Sequence, residues 1–178
     1  MTRFASSMIV IALAACGGGS GGGGTNQVTP EQADALCTRG CNHIVTCGGS
    51  STLPECVADC TGDTQAWRQD ALLTLVDCLE TQMCSDAPEA CFAEIDPLPI
   101  HEEWETKCRA QLATCVTDPT QLDGFCEVNP DPANPEVGFI RVIAPAIMDE
   151  FIACLDQPDC TTRQTCLQSV ADAHNINF

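Results

Sequence analysis

The sequence has no tyrosine and few other aromatic or basic residues. Its 178 residues include 6 Phe, 2 Trp and 7 Lys+Arg against 25 Asp+Glu, which gives a formal net charge of -18. So acidic a chain repels the phosphates of nucleic acids, and it has few of the aromatic rings on which single strands stack. Beyond the N-terminus, no apolar run reaches the roughly 18 residues typical of a membrane-spanning helix. These features argue against nucleic-acid partners and against a downstream membrane span.

Residues 1–15 have the pattern of an export signal. Arg3 precedes an apolar stretch that is too short for a stable transmembrane helix, and small residues follow it. The end of the segment, Leu13-Ala14-Ala15-Cys16, resembles the lipobox of bacterial lipoproteins. The resemblance covers this segment alone and implies cleavage before Cys16, acylation of that cysteine and a lipid anchor in a membrane. The alternative is an ordinary secretory signal that ends beside a chance cysteine.

The same resemblance implies a place in the cell envelope. In such lipoproteins an Asp directly after the acylated cysteine commonly retains the protein in the inner membrane, and here that position is Gly17. The outer membrane is therefore expected, with the rest of the chain periplasmic or surface-exposed. Residues 17–24 are glycine except for Ser20, which predicts a flexible tether. From Gly17 to Thr29 such a chain spans roughly 20 Å, so a lipidated tether is expected over residues 16–29.

Cysteine is abundant, with 15 copies in the chain. Once Cys16 is assigned to the lipid, an even number remains, and export would place these cysteines in an oxidising compartment. We therefore expect every cysteine after Cys16 to lie in a disulfide. The bridges would compensate for the small core that each half of such a chain can bury.

The cysteine spacing repeats along the chain. Segment 77–84, which contains Cys78 and Cys84, matches segment 153–160, which contains Cys154 and Cys160. The remaining matched positions are Cys91 with Cys166, Cys41 with Cys108, Cys47 with Cys115, and Cys56 with Cys126. The pattern predicts two related units, over residues 30–96 and 100–175. Chance similarity within a cysteine-rich chain is the alternative.

Both units are predicted to be helical. Capping boxes begin at Thr29 and Thr52, and apolar residues follow at helical spacing. Longer helices are expected from about residue 64 to 82 and from about 136 to 155, with Pro145 as a kink or break. Shorter helices are expected from about residue 85, from 118 to 124, and from about 162 to 173. The seams of the long helices are expected to form the core: Leu72, Leu75, Val76, Leu79, Ile143, Ile147, Phe151 and Leu155.

The predicted fold is all-α, with two disulfide-stapled helical-hairpin units of about four helices each. The second unit has no counterparts of Cys37 and Cys60, and a bridge tends to be gained or lost as a unit, which favours Cys37–Cys60. Cys41–Cys56 would be a second rung of the same antiparallel hairpin, one turn away. The same reasoning gives the other pairs: Cys78–Cys91, Cys108–Cys126 and Cys154–Cys166 within hairpins, and Cys47–Cys84 and Cys115–Cys160 between hairpin tips. Other connectivities stay open on sequence alone.

Metal binding by thiolates is an alternative use of the cysteines. The i, i+4 pairs Cys37/Cys41 and Cys56/Cys60 place two sulfurs on one helix face, and Cu(I) prefers thiolate ligands. Helical bundles lined with such pairs resemble the exported copper-storage proteins of bacteria, although here cysteines also fall at predicted loop tips. No close pair has the two-residue spacing typical of zinc sites. We expect no cofactor, with copper as the alternative.

The sequence contains no recognisable catalytic constellation. His101-Glu102 resembles the start of a zinc-protease motif, but the second histidine of that motif is missing. His43 and His174 are expected at surface or boundary positions, and Trp67 and Trp104 in packing roles. The acidic stretches 102–105 and 131–136 do not match an EF-hand and are expected to be solvated surface.

These observations predict a non-enzymatic, lipid-anchored module of the cell envelope. It would bind a protein or another envelope ligand, or serve as a structural surface component, and its acidic surface favours basic partners. Storage of Cu(I) by thiolates is the second hypothesis. A small secreted hydrolase is the third, with no candidate residues to carry it.

Overall fold

The computed structural model of the chain describes residues 27–49, 51–85, 88–128 and 139–176. These ranges are all-helical, as predicted, and they contain seven α-helices, three 3-10 helices and no extended strand. The α-helices are α1 (Pro30–Thr46), α2 (Leu53–Asp63), α3 (Gln69–Thr81), α4 (Pro99–Leu112), α5 (Pro119–Cys126), α6 (Pro145–Leu155) and α7 (Cys160–Ala173). The 3-10 helices are Thr64–Ala66, Pro88–Glu94 and Phe139–Val142. The export signal, Cys16 and the glycine-rich tether lie outside the described residues.

Capping boxes start α1 and α2 where the sequence predicts. In α1 the Gln32 N–H donates to Thr29 Oγ1 (3.3 Å), and the Thr29 N–H donates to Gln32 Oε1 (3.0 Å). In α2 the Thr52 N–H donates to the carboxylate of Glu55 (3.0 Å). A proline occupies the first or second position of α1, α2, α4, α5 and α6, where its missing N–H costs no intrahelical bond.

The helix predicted over residues 64–82 is wrong in its first turn. Thr64–Ala66 is a 3-10 turn, Trp67 and Arg68 are extended, and α3 begins only at Gln69. The extended residues are held by a distant segment, because the Arg68 N–H donates to Val142 O (2.8 Å). Apolar periodicity predicts a helix but carries no information about backbone pairing with a remote part of the chain.

The helix predicted over residues 136–155 is wrong in the same way. Phe139–Val142 is a 3-10 helix, Ala144 is extended, and α6 begins at Pro145. The residue before a proline is driven to extended backbone, so Pro145 marks the break that was one of the two expected outcomes, and it starts α6. Residues 136–138 lie outside the described part of the chain.

Three further boundaries differ from the predictions. The helix expected from about residue 85 is a 3-10 helix over Pro88–Glu94. The short helix α5 continues past Gly124 to Cys126, and α7 begins at Cys160, two residues before the expected start. The sequence signal for a helix end is weak. The disulfides at Cys126 and Cys160 also fix the backbone at these ends in a helical conformation that intrinsic propensity alone does not predict.

One hydrophobic core draws on both halves of the chain. The predicted seam residues are buried, apart from Leu75, which is partly buried and packs against the core. Trp104 lies at the centre with no exposed surface, and its ring meets the edges of Phe125 (5.7 Å between centroids) and Phe151 (5.9 Å). The two halves therefore pack against each other, and residues 96–100 join parts that share a core.

Candidate functional site

Seven disulfides join the fourteen cysteines from Cys37 onward. Their Cα–Cα distances, from 4.9 to 5.8 Å, are those of ordinary bridges. The pairs are Cys37–Cys60, Cys41–Cys56, Cys47–Cys84, Cys78–Cys91, Cys108–Cys126, Cys115–Cys160 and Cys154–Cys166. This is the same pairing that the cysteine spacing suggests. Within the first hairpin the register explains the agreement, because antiparallel helices place Cys37 opposite Cys60 and, one turn away, Cys41 opposite Cys56.

The bridges fall into two groups by burial. Five of them, the hairpin bridges, staple neighbouring helical segments, and each contains at least one buried cysteine. The other two, Cys47–Cys84 and Cys115–Cys160, join the tips of two hairpins, and we call them the tip bridges. In each tip bridge one cysteine is partly buried and the other, Cys84 or Cys160, is exposed.

The two tip bridges have different polar neighbours. The Nε2 atom of His43 lies 3.5 Å from Cys47 Sγ. At the other tip the guanidinium Nη1 of Arg163 lies 3.6 Å from Cys115 Sγ, and the hydroxyl of Thr114 lies 3.7 Å from the same sulfur. A fixed positive charge thus stands beside one tip bridge, and a histidine beside the other.

The described residues contain no group of three or more His, Cys, Asp and Glu side chains that could hold a metal ion. Disulfide bonding removes the thiolates that Cu(I) would need. In the acidic stretch 102–105, Glu102 and Glu103 are exposed, whereas Glu105 pairs with Arg109 (3.2 Å). The second acidic stretch, 131–136, lies outside the described residues.

His101 is fully buried and links two backbone segments. The Leu98 N–H donates to its Nδ1 (2.8 Å), and its Nε2 lies 3.0 Å from Ile143 O, so a neutral ring protonated on Nε2 satisfies both partners. Burial lowers the pKa of His101 to about 4, which keeps the ring neutral at physiological pH. The histidine that resembles the start of a zinc-protease motif is therefore a buried residue that supports the packing of the core. His43 and His174 occupy partly buried positions, and His174 lies 3.1 Å from Glu150.

Two buried arginines were missed by the sequence analysis. Arg141 donates to Val128 O through Nε (3.0 Å) and Nη2 (2.8 Å), and to Ile95 O through Nη1 (2.8 Å). Arg68 donates to Asp96 O and lies 3.2 Å from a carboxylate oxygen of Asp70. Burial lowers the pKa of both guanidinium groups from its ordinary value. For Arg141, the sequence did contain a signal of burial, because this arginine lies inside the apolar run 139–144.

The four remaining described basic side chains are also engaged by the protein itself. Arg39 pairs with Asp77 (2.8 Å) and Glu80 (2.6 Å), and these carboxylates raise its pKa. Lys107 pairs with Asp156 (2.8 Å), and Arg109 pairs with Asp123 as well as with Glu105. Arg163 donates to three backbone carbonyls, those of Leu155, Gln157 and Gln111. Besides Asp70 beside Arg68 and Glu150 beside His174, other exposed carboxylates of the described residues, such as Glu102 and Glu103, have no ion-pair partner.

No helix in the described part of the chain is both long and apolar enough to cross a bilayer. Comparison with known proteins does not assign the chain to a family. No protein-family model matches it, and no curated protein or solved structure is similar to it.

Proposed function

We propose that this protein is a non-enzymatic, lipid-anchored module of the bacterial cell envelope, held at the outer membrane through Cys16, and that its rigid acidic ectodomain binds a basic protein partner. The lipobox-like end of residues 1–16 supports the anchor, and the glycine-rich segment that follows supports a tether. The disulfide framework supports an oxidising compartment, because such a density of bridges is typical of exported proteins.

The binding role rests on one observation. Every Lys and Arg side chain of the described residues is already engaged within the protein itself. Arg68 and Arg141 are buried, and the other four basic side chains already contact carboxylates or carbonyl oxygens. Exposed carboxylates such as Glu102, Glu103 and Asp149 are left facing solvent without a counter-charge. A partner with clustered lysines or arginines would relieve this repulsion and would be attracted at long range.

The ectodomain is also proposed to consist of two copies of one helical motif. Trp67 precedes Cys78 by the same number of residues as Ile143 precedes Cys154, and the two residues pair directly. Their carbonyls are bonded in matching ways. Trp67 O accepts from the Val28 N–H (2.9 Å), two residues before the proline that starts α1. Two residues before the proline that starts α4 lies Pro97, which has no N–H, and Ile143 O contacts the His101 ring instead.

Copper storage by thiolates receives no support from the described residues. It would require the reduction of bridges such as Cys37–Cys60 and Cys41–Cys56, whose cysteines Cys37 and Cys41 are buried. Intact mass of the protein purified from an oxidising compartment, measured with and without thiol alkylation and with metal analysis, separates the two functions. A mass lower by one hydrogen per bridged cysteine, with no alkylation and no metal, supports the disulfide module. Free thiols with bound Cu(I) would overturn it.

The anchor is tested with the full chain and its Cys16→Ser variant, produced in a Gram-negative host. We expect the wild-type protein to sediment with outer membranes and to carry an acylated N-terminal cysteine by mass spectrometry. The variant should be found in the soluble envelope fraction. Cleavage at any other position, or a soluble wild-type protein, contradicts the anchor.

The binding role is tested by zero-length carbodiimide cross-linking on intact cells of the native source. This reagent joins a carboxylate to an amine only when the two are in contact, so it captures partners held by lysines. We expect a discrete cross-linked species that disappears at high salt and is weaker in the Glu102→Gln, Glu103→Gln variant. No cross-link above the level of the Cys16→Ser control means that no basic partner binds.

A further inference from the structure

We propose that the Cys115–Cys160 tip bridge is a site of thiol–disulfide exchange, which the dithiol of a reducing partner opens at Cys160 while the rest of the framework stays closed. This inference does not depend on the lipid anchor or on the basic partner. It rests on which sulfur of the bridge is accessible and on which sulfur has a cation beside it.

Access favours attack on Cys160. This cysteine is the first residue of α7 and is exposed, whereas Cys115 is partly buried in the turn that follows α4. Exchange requires the incoming thiolate to reach one sulfur of the bridge. By contrast, Cys78–Cys91 and Cys108–Cys126 bury both cysteines. A dithiol therefore meets Cys160 before it meets any cysteine of the five hairpin bridges.

The charges around the bridge favour departure of Cys115. When Cys160 is attacked, negative charge develops on Cys115 Sγ, where the Arg163 guanidinium lies 3.6 Å away and the Thr114 hydroxyl 3.7 Å away. A nearby guanidinium stabilises a thiolate, and a stabilised thiolate leaves faster. Cys160 lies at the N-terminus of α7, where the helix dipole favours a thiolate, and the N-cap carboxylate of Asp159 beside it opposes that effect. The bridge is thus polarised, with an exposed electrophilic end and a leaving end beside a cation.

The other tip bridge lacks this arrangement and serves as an internal comparison. Cys84 is also exposed, so an external thiol has access to it. Its partner, Cys47, is the C-cap of α1, and Cys115 likewise follows the C-terminus of α4, so the helix dipoles do not distinguish these two sulfurs. The neighbour of Cys47 is His43, which carries a positive charge only when it is protonated.

Other bonds should keep α4 and α7 in place when this bridge is opened. The two elements that Cys115–Cys160 joins are each held by a second bridge, α4 by Cys108–Cys126 and α7 by Cys154–Cys166. Arg163 also connects α7 to Gln111 O at the end of α4 (2.8 Å), and this bond does not depend on the disulfide. Opening would release the hairpin tips but not the helical core.

The reaction balances with a dithiol as the co-reactant. One thiolate of the dithiol attacks Cys160 Sγ, the S–S bond breaks, and its electron pair leaves on Cys115 Sγ. The second thiolate of the dithiol then attacks the dithiol's own sulfur in the mixed disulfide and releases Cys160 as a thiolate. The dithiol is oxidised to a disulfide, the protein pair gains two electrons, and the two protons of the dithiol pass to the new thiols.

The test follows bridge opening in the native full chain with dithiothreitol as the probe. Samples are quenched with an alkylating reagent over time, and each bridge is followed by peptide mass spectrometry. We expect Cys115–Cys160 to open before Cys47–Cys84 and well before the five hairpin bridges, with helical circular dichroism retained. A second probe, the monothiol glutathione, should form its mixed disulfide on Cys160. Opening of Cys47–Cys84 first, loss of the fold on opening, or glutathione on Cys115 would each overturn the proposal.

The role of Arg163 is tested with variants that remove or keep the positive charge at this position. A guanidinium beside the departing thiolate stabilises it and speeds its departure, so Arg163→Gln should slow opening roughly threefold. Arg163→Lys should keep most of the rate, and Arg39→Gln, which removes a charge from α1, should change nothing. Faster opening in Arg163→Gln would mean that Arg163 only packs the tip, which contradicts the proposal. If Arg163→Gln fails to fold, the order of opening in the wild type still decides.

Discussion

Trp67 and Ile143 face each other in an antiparallel bridge that ties the first half of the chain to the second. The flanking backbone completes the pairing, since the Arg68 N–H donates to Val142 O (2.8 Å) and the Ala144 N–H donates to Ala66 O (2.9 Å). Both central residues are buried. The two halves are therefore joined by directional backbone bonds as well as by apolar packing, and the groups that support this bridge should control stability.

The first prediction concerns pH and His101. The folded protein keeps this ring neutral down to its pKa of about 4, whereas the unfolded chain binds a proton below about pH 6.5. Unfolding takes up a proton in that window, so up to about 3 kcal/mol of stability, fully present above pH 6.5, should be lost as pH falls toward 4. Denaturant unfolding at a series of pH values measures this slope.

The matched variant is His101→Gln. Its free energy of unfolding should fall less steeply as the pH is lowered from 6.5 to 4, and at neutral pH it should be lower than that of the wild type by about 1–3 kcal/mol. The surface variant His174→Gln serves as the control and should keep the wild-type slope. An unchanged slope in His101→Gln would assign the acid sensitivity to other groups.

The second prediction concerns the buried guanidinium of Arg141. Its replacement by Met would leave the carbonyls of Val128 and Ile95 without their donors inside the core. We expect the free energy of unfolding to fall by about 3 kcal/mol or more. Arg39→Gln breaks exposed, solvent-screened ion pairs instead and should change the free energy of unfolding far less. Equal losses in urea titrations of the two variants would contradict the structural role given to Arg141.

The third prediction contrasts two glycines. Gly48 has a φ of +90°, a conformation that other residues avoid, so Gly48→Ala should destabilise the protein by about 1 kcal/mol. Gly62 lies in the last turn of α2, and a Cβ added there would meet no atom within 4 Å. Gly62→Ala should therefore stabilise by about 0.5–1 kcal/mol. Thermal unfolding of the two variants checks the opposite signs.

The fourth prediction compares two bridges removed by paired alanine substitution. Cys78 and Cys91 are buried together with Leu79, so the loss of their bridge also leaves a packing defect. We expect this variant to lose about 3 kcal/mol from chain entropy and more from packing. The Cys47→Ala, Cys84→Ala variant opens a longer loop, with a sequence separation of 37 against 13, and therefore loses somewhat more from chain entropy. It should still lose less in total, because Cys84 is exposed and little packing is lost. The reverse order of denaturation midpoints would mean that burial does not govern these contributions.

Much of the fold was predictable because its signals are local or covalent. The helix starts at Pro30 and Pro119 follow from proline and capping chemistry within a few residues. The pairs suggested by the cysteine spacing agree with the structure where bridged cysteines lie opposite each other in a helical hairpin, as Cys37 and Cys60 do. What the sequence did not predict depends on distant partners. Trp67 is extended because of Ile143, and Arg141 is buried because the carbonyls of residues 92–95 and 128 surround it.

The position of the first bridge has a mechanical consequence. Within the described residues, the first bridged cysteine is Cys37, and its covalent link to Cys60 joins α1 to α2. A pulling force applied from the N-terminal side can peel away only the residues before Cys37, which are held by bonds such as Val28 N–H to Trp67 O (2.9 Å). Beyond that point the load passes into the S–S bond of a nested pair of bridges. Under tension the hairpin of α1 and α2 would therefore behave as a short inextensible link.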